Sequence, residues 1–262
     1  MKRILFSIVV IFATLLIVSC VKDDEVEVAD EPQVFNLDIA GMSDAQGSKL
    51  GWDSEGYLWW SDSGDYVNIN GCVFQVKYDN GWKAVGSGAE RDNGTFNICY
   101  MGSSTDNGNW NTANQLFANV KFSGIVPLVG RGTSNNLTLT PCCAVLKCDM
   151  GSNTLVTVSF NYKDNDTTKW FSLKGSLNPQ SGLVESTGEA LRSIGSNALT
   201  KENGSYFLVL PMTAENITLS DMTFTYKVPG QRRNKTKTAG EGDATITITR
   251  GVVYTIDGSG WN

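Results

Sequence analysis

Short strand-like runs separated by turn residues recur along this chain, and they constrain its fold more than any other feature. Residues 34–39 and 244–249 alternate apolar and polar side chains with a period of two, which is typical of strands with one buried face. The turns are rich in Asn and in Gly, of which the chain has 27. Stretches of helix formers at helical spacing are nearly absent. The sequence therefore predicts an all-β fold.

Several strands can be placed in more detail. Residues 66–78 predict a pair of strands or one long bent strand, with a bulge at Gly71, and residues 79–81 supply a hairpin turn. Residues 137–148 predict a single strand. One helical turn is expected around residues 189–192.

The N-terminus is typical of a lipoprotein signal peptide. Residues 1–3 are cationic, residues 4–18 form an apolar run, and small residues lead into Cys20. The run is too short for a stable membrane span. We expect cleavage before Cys20 and acylation of that residue. The alternative is an N-terminal core helix that ends by chance in Ser-Cys.

A lysine and a run of acidic residues follow Cys20. Lys22, Asp23, Asp24 and Glu25 resemble the lipoprotein export signal of Bacteroidetes, which directs lipoproteins to the outer face of the outer membrane. The resemblance implies localisation at the cell surface. The alternative interpretation is a solvated acidic tether.

The remaining length suits one large β-sandwich or two smaller domains. The polar, Gly-rich segment 130–136 is the best boundary. We predict a signal peptide at residues 1–19, a lipidated tether at 20–32 and two β-sandwich domains at 33–134 and 135–262.

Charge and composition exclude several function classes. The net charge of −6 gives no electrostatic footprint for nucleic acid. One basic cluster, made of Arg232, Arg233, Lys235 and Lys237, is interpreted as a solvated loop rather than a binding patch.

The chain has no histidine, which rules out Ser-His-Asp and Cys-His catalysis and His-ligated zinc. The densest acidic group, formed by Asp53, Glu55, Asp62 and Asp65, lies in turn-like sequence with no sign of burial. Residues 164–166 lack the other ligands of a calcium loop and favour a hairpin tip. We therefore expect no enzyme activity, cofactor or metal.

Five cysteines remain after Cys20, an odd number that excludes a complete disulfide framework. Their spacing is poor for metal binding, so we interpret them as small buried hydrophobic residues: Cys72, Cys99, Cys142, Cys143 and Cys148.

Five segments, in order, resemble the Bacteroidetes fimbrillin-like family. The first, LWWSDSGDYVNI, resembles the family's "L-x-W…G-D-x-I-x-V" opening, and the last, RGVVYTI, its closing "R-G-x-x-Y-T-I". The segments are residues 58–69, 137–147, 173–175, 206–211 and 249–256.

The resemblance implies two transthyretin-like β-sandwich domains and a place in type V fimbriae. In that family a protease cuts after a basic residue near the first strand, and a strand of another subunit fills the freed groove. Here the groove-filling strand would present Phe35, Leu37 and Ile39, which share one face. Lys49 is the first basic residue after that strand and lies in Gly- and Ser-rich sequence, so it is the expected processing site.

The resemblance implies other fimbrial subunits as partners, the outer membrane through the lipid, and an adhesive role with an unknown target. The lone Lys49 and the short tail after Ile256 depart from stalk subunits and favour an accessory, anchor-like or unprocessed subunit. The competing hypothesis is a surface glycan-binding lipoprotein. It would use exposed tryptophans among Trp52, Trp59, Trp60, Trp82 and Trp110.

Overall fold

The computed structural model describes residues 31–40, 42–44, 49–50, 66–100, 127–163, 169–172, 175–195, 200–202, 204–240 and 245–262. All regular elements in these ranges are strands, which confirms the predicted all-β fold. These ranges contain no helix that is long and apolar enough to cross a membrane. The chain divides into two compact units, Met1–Glu31 and Pro32–Asn262, and the strands of the described residues belong to the second.

Twenty strands are found in the described residues. They are β1 (Gln33–Ile39), β2 (Met42–Asp44), β3 (Lys49–Leu50), β4 (Tyr66–Ile69), β5 (Cys72–Tyr78), β6 (Trp82–Gly86), β7 (Phe96–Tyr100), β8 (Leu128–Gly132), β9 (Asn136–Pro141), β10 (Cys143–Asp149), β11 (Thr154–Tyr162), β12 (Gly175–Asn178), β13 (Leu183–Ser186), β14 (Ser193–Gly195), β15 (Thr200–Glu202), β16 (Ser205–Pro211), β17 (Asn216–Lys227), β18 (Lys235–Ala239), β19 (Ile246–Thr249) and β20 (Val252–Asp257).

The strands form three large sheets and one short pair. Seven strands close on themselves in the order β1-β6-β5-β4-β7-β8-β9, which we call the closed sheet. A six-stranded sheet has the order β15-β16-β10-β20-β2-β3. A five-stranded sheet is ordered β14-β11-β17-β18, with β19 also paired to β17, and β12 pairs with β13.

Asn-Gly turns set the hairpins of the closed sheet. Asn70 and Gly71 have φ values of 46° and 89°, and they connect β4 directly to β5. The predicted bulge at Gly71 is therefore wrong: the glycine occupies the left-handed second position of a two-residue turn, as Asn-Gly pairs favour. Asn80 and Gly81, with φ values of 50° and 129°, form the predicted turn between β5 and β6.

The predicted single strand at residues 137–148 is wrong, because the chain changes sheets at Cys142. Strand β9 belongs to the closed sheet and β10 to the six-stranded sheet. The Cys142 N–H donates to the Pro127 carbonyl at 2.9 Å, while its carbonyl accepts from Met212 N–H at 3.0 Å. These bonds hold the residue between two sheets.

The helical turn expected at residues 189–192 is also wrong. Ala190 forms a β-bridge with Ser172, and the Leu191 N–H donates to the Phe171 carbonyl at 2.8 Å. Pairing with a distant segment overrides the local helix propensity there.

One cluster of buried side chains runs through all three large sheets. It includes Phe35 and Phe74 of the closed sheet, Leu146 of the six-stranded sheet and Phe224 of the five-stranded sheet. The predicted domain boundary at residue 134 lies in the turn between β8 and β9, which pair with each other. The division into two domains stays a prediction.

Candidate strand-exchange site

Strand β1 closes the seven-stranded sheet, and its two neighbours come from distant parts of the chain. Residues 33–37 pair antiparallel with β6, and residues 36–39 pair in parallel with β9. Without β1, both β6 and β9 would become sheet edges with unpaired backbone groups. The site is therefore one strand wide and lined by these two strands.

Alternation along β1 sends Phe35 and Leu37 into the core. They are 1% and 7% exposed, while Ile39 is half-buried and Val34 is 39% exposed. The Phe35 ring meets the rings of Phe74 and Phe96 edge to face, at centroid distances of 5.3 and 4.8 Å. The three residues predicted to share a face do so, with Phe35 the deepest.

Polar side chains connect both flanks of β1 to neighbouring segments. The Gln33 amide donates to the Ala89 carbonyl at 3.0 Å and accepts from the Ala89 N–H at 2.9 Å, which extends the pairing beyond β6. On the other flank, Asn36 Nδ2 donates to Asn136 Oδ1 at 2.7 Å, and Asn135 Nδ2 donates to the Val34 carbonyl at 3.1 Å.

Sequence patterns do not identify these polar residues. In the sequence they are ordinary polar members of a strand or of a turn. Their partners lie 56 residues away for Gln33 and 100 for Asn36, so no local pattern signals them.

The segment after β1 joins a different sheet. Strand β2 pairs in parallel with β20, and β3 pairs with β2 at the edge of the six-stranded sheet. Lys49 is paired with Ser43 at the start of β3, so the expected processing site lies on an edge strand rather than in a loop. Residues 45–48 lie outside the described residues.

Other predicted residues also lie outside the described part of the chain. These are the lipid-attachment residue Cys20, the export-signal residues Lys22, Asp23, Asp24 and Glu25, and the acidic group Asp53, Glu55, Asp62 and Asp65. Their assignments remain predictions. Among the residues that the structure does describe, no group of three or more potential metal-ligating side chains occurs.

The five cysteines in the described residues form no disulfide, and four of them are buried, which confirms the interpretation as small core residues for those four. Burial raises the pKa of the Cys99 and Cys148 thiols to about 12 and that of Cys143 still higher. Such thiols stay protonated and are poor nucleophiles at neutral pH. Cys72 is half-buried, and its Sγ donates to the Gly88 carbonyl at 3.1 Å.

Of the tryptophans considered for glycan binding, the structure describes Trp82 alone. Trp82 is half-buried and meets Tyr78 edge to face at 5.2 Å, and Tyr78 is 65% exposed. The pair presents one open aromatic ring rather than a flat platform. Trp261, at the other end of the chain, packs on Phe224 and Tyr226.

Comparison with known proteins gives no further guide to the site, since no family model, curated protein sequence or solved structure was found to match the chain.

Proposed function

We propose that this protein is a surface lipoprotein that serves as a structural or accessory, anchor-like subunit of fimbriae and assembles by exchange of β1. The observation that carries the proposal is that an N-terminal strand closes a sheet between two strands distant in sequence, with Phe35 and Leu37 filling the core. The five segments that resemble fimbrillin-like proteins support the same assignment.

The physical basis is β-augmentation. Removing β1 would leave two open edges and an apolar slot, and both are costly in water. A strand from another subunit would restore the backbone hydrogen bonds and fill the slot with its alternate side chains. We further propose that the sheets correspond to two transthyretin-like domains, and that Cys20 carries the lipid that anchors the uncut subunit to the outer membrane.

A photoreactive residue placed at Thr138 would test assembly on cells. Thr138 is exposed on β9 and stands opposite Asp38 of β1, so it reports which strand occupies the site. In assembled subunits we expect crosslinks between two chains, and in Lys49→Gln only crosslinks within one chain.

A photoreactive residue at Lys77, which is exposed on β5 of the same sheet, is the matched control. Equal yields of crosslinked dimer from both positions would indicate crowding on the surface and contradict exchange.

Glycan binding remains a second candidate, favoured by the exposed Tyr78 ring beside Trp82. Sugar rings stack on such aromatic faces. Binding to a glycan array that is lost in Tyr78→Ala, with no assembly at the β1 site, would favour it.

A further inference from the structure

The hairpin between β17 and β18 carries a local excess of positive charge. Five cations lie within residues 227–237, and no carboxylate occurs between residues 227 and 240. Four of the five are exposed and Lys235 is half-buried; we call this the basic hairpin: Lys227, Arg232, Arg233, Lys235 and Lys237. Among the described residues none of them forms an ion pair, since the ion pairs found there involve Lys83, Lys147 and Arg250.

The net charge of −6 hides this surplus, because it averages over the whole chain. Arg232 and Arg233 lie in an exposed loop, as the sequence predicts. Lys235 and Lys237, by contrast, belong to strand β18. The cations are therefore displayed by a regular element.

The base of the hairpin is well fixed. Lys235 pairs with Tyr226 and Lys237 with Phe224, so the two lysines lie on one side of β18, about 7 Å apart along the strand. The Trp261 ring packs on Phe224 and Tyr226 at 5.4 and 5.3 Å. At the tip, Gly230 has a φ of 78°, a left-handed conformation that suits glycine.

Protection of a sheet edge explains only part of this charge. β18 is an edge strand, and lysines on such strands prevent pairing with other chains. That role accounts for Lys235 and Lys237. Arg232 and Arg233 lie in the turn before β18, where there is no strand edge to protect. Their planar guanidinium groups suit bidentate contact with sulfate or carboxylate groups.

We propose that the basic hairpin binds an anionic polysaccharide, with the two arginines and the strand lysines contacting successive sulfate or carboxylate groups. Two features favour this partner over other polyanions. The large hydrophobic side chains that are exposed in the described residues, Val34 and Tyr78, lie on other strands. Residues 227–237 therefore carry no aromatic ring on which nucleic acid bases could stack and no large exposed apolar side chain that could anchor in a bilayer, and the neighbouring Trp261 ring is half-buried against Phe224 and Tyr226.

Binding at the basic hairpin would identify the chemical class of the adhesion target, which the proposed function leaves open. It does not depend on strand exchange, because the hairpin is complete in the uncut chain. Failure of assembly and failure of polysaccharide binding would therefore be distinguishable.

The test is titration of the uncut chain with a heparin fragment of defined length at several salt concentrations. With four contacts, affinity should fall by about a hundredfold between roughly 50 and 200 mM salt. The double variant Arg232→Gln with Arg233→Gln should bind about tenfold more weakly at the low salt concentration and show a shallower salt dependence. The double variant Lys77→Gln with Lys163→Gln removes the same charge from two exposed sites elsewhere and should bind like the unchanged chain.

Three results would overturn the proposal. One is absence of heparin binding at low salt, and another is equal loss of affinity in the two double variants. The third is binding of duplex DNA or of vesicles containing anionic phospholipid that is as tight as heparin binding and equally sensitive to Arg232 and Arg233. That result would show that the basic hairpin binds nucleic acid or a membrane surface instead.

Discussion

At the scale of single residues, Phe35 determines how firmly β1 is held. Its ring is 1% exposed and meets two other aromatic rings edge to face, so the surrounding side chains have little freedom to close over a gap. The neighbouring Val34 points away from the core and is 39% exposed. Adjacent positions of one strand therefore differ greatly in their contribution to stability.

Phe35→Ala should lower the free energy of unfolding by about 3–5 kcal/mol, because it removes a buried ring and leaves a cavity. Val34→Ala, the matched control, should change it by less than about 1 kcal/mol. Urea unfolding, monitored by circular dichroism, measures the free energy of unfolding of both variants. Similar losses for the two variants would show that β1 does not fill the core in solution.

Buried thiols should make stability depend on pH in the alkaline range. The pKa of Cys99 is raised from 9.0 to about 12 by burial, and that of Cys148 is raised similarly. Above pH 9 the unfolded chain loses protons that the folded chain keeps, so stability is full below pH 9 and falls as the pH rises toward 12.

This prediction is checked by urea unfolding in reductant at pH 8, 9.5 and 10.5. Each buried thiol contributes a slope of up to roughly 1.4 kcal/mol per pH unit. The slope should be smaller in Cys148→Ala. A stability that does not change from pH 8 to 10.5 would mean that these thiols are solvated.

At the scale of elements, the hairpin of β4 and β5 shows how a turn organises its surroundings. Asn70 has a φ of 46°, and its side chain donates to the Glu90 and Thr95 carbonyls and accepts from the Asn97 N–H. The Asn70 side chain therefore fixes residues 90–97, which lead into β7.

Asn70→Gly keeps the left-handed backbone accessible and removes only these three hydrogen bonds, so we expect a loss of about 3 kcal/mol. Asn80→Gly is the control: Asn80 has a similar φ of 50° in the next hairpin and should tolerate the change with little loss. Thermal unfolding of the two variants measures the difference between their stabilities. Equal stabilities would contradict a role for the Asn70 side chain.

Sequence patterns identified elements whose signals are local. Alternation placed Phe35 and Leu37 on the buried face, and the Asn-Gly pair at Asn80 set a turn in the predicted place. The change of sheet at Cys142 was missed, because it depends on hydrogen bonds to Pro127 and Met212 from other segments. The partners of a strand are decided by packing of the whole chain, which alternation does not encode.

At the scale of the whole molecule, the N-terminal segment bridges two sheets. Strand β1 closes one, and β2 adds to β20 of another, so cleavage near Lys49 would release contacts in both. The lipidated N-terminus predicted from the sequence precedes this segment. In the proposed function, the lipid anchor and the exchangeable strand are therefore adjacent in the chain.

Cys20→Ala should prevent the proposed acylation and release the protein from the membrane fraction, because the acyl chains on Cys20 would be its membrane anchor. Palmitate labelling and cell fractionation measure this. Palmitate incorporation that persists in Cys20→Ala would contradict the assignment of the signal.

Neutralising Asp23, Asp24 and Glu25 should instead leave a lipidated protein that is protected from protease on intact cells.

We propose that β1 can be replaced by a strand of another subunit, a claim that controlled cleavage of the chain tests. Residues 45–48 are replaced by the recognition sequence of a specific protease, and light scattering measures molar mass before and after cleavage. We expect a monomer before cleavage and folded oligomers once the N-terminal fragment has dissociated. An excess of a peptide of residues 33–40 should suppress the growth of these oligomers, because the peptide would occupy the site that β1 leaves. A cut chain that loses the fragment and then stays monomeric, or that unfolds, would contradict the claim and identify β1 as an ordinary core strand.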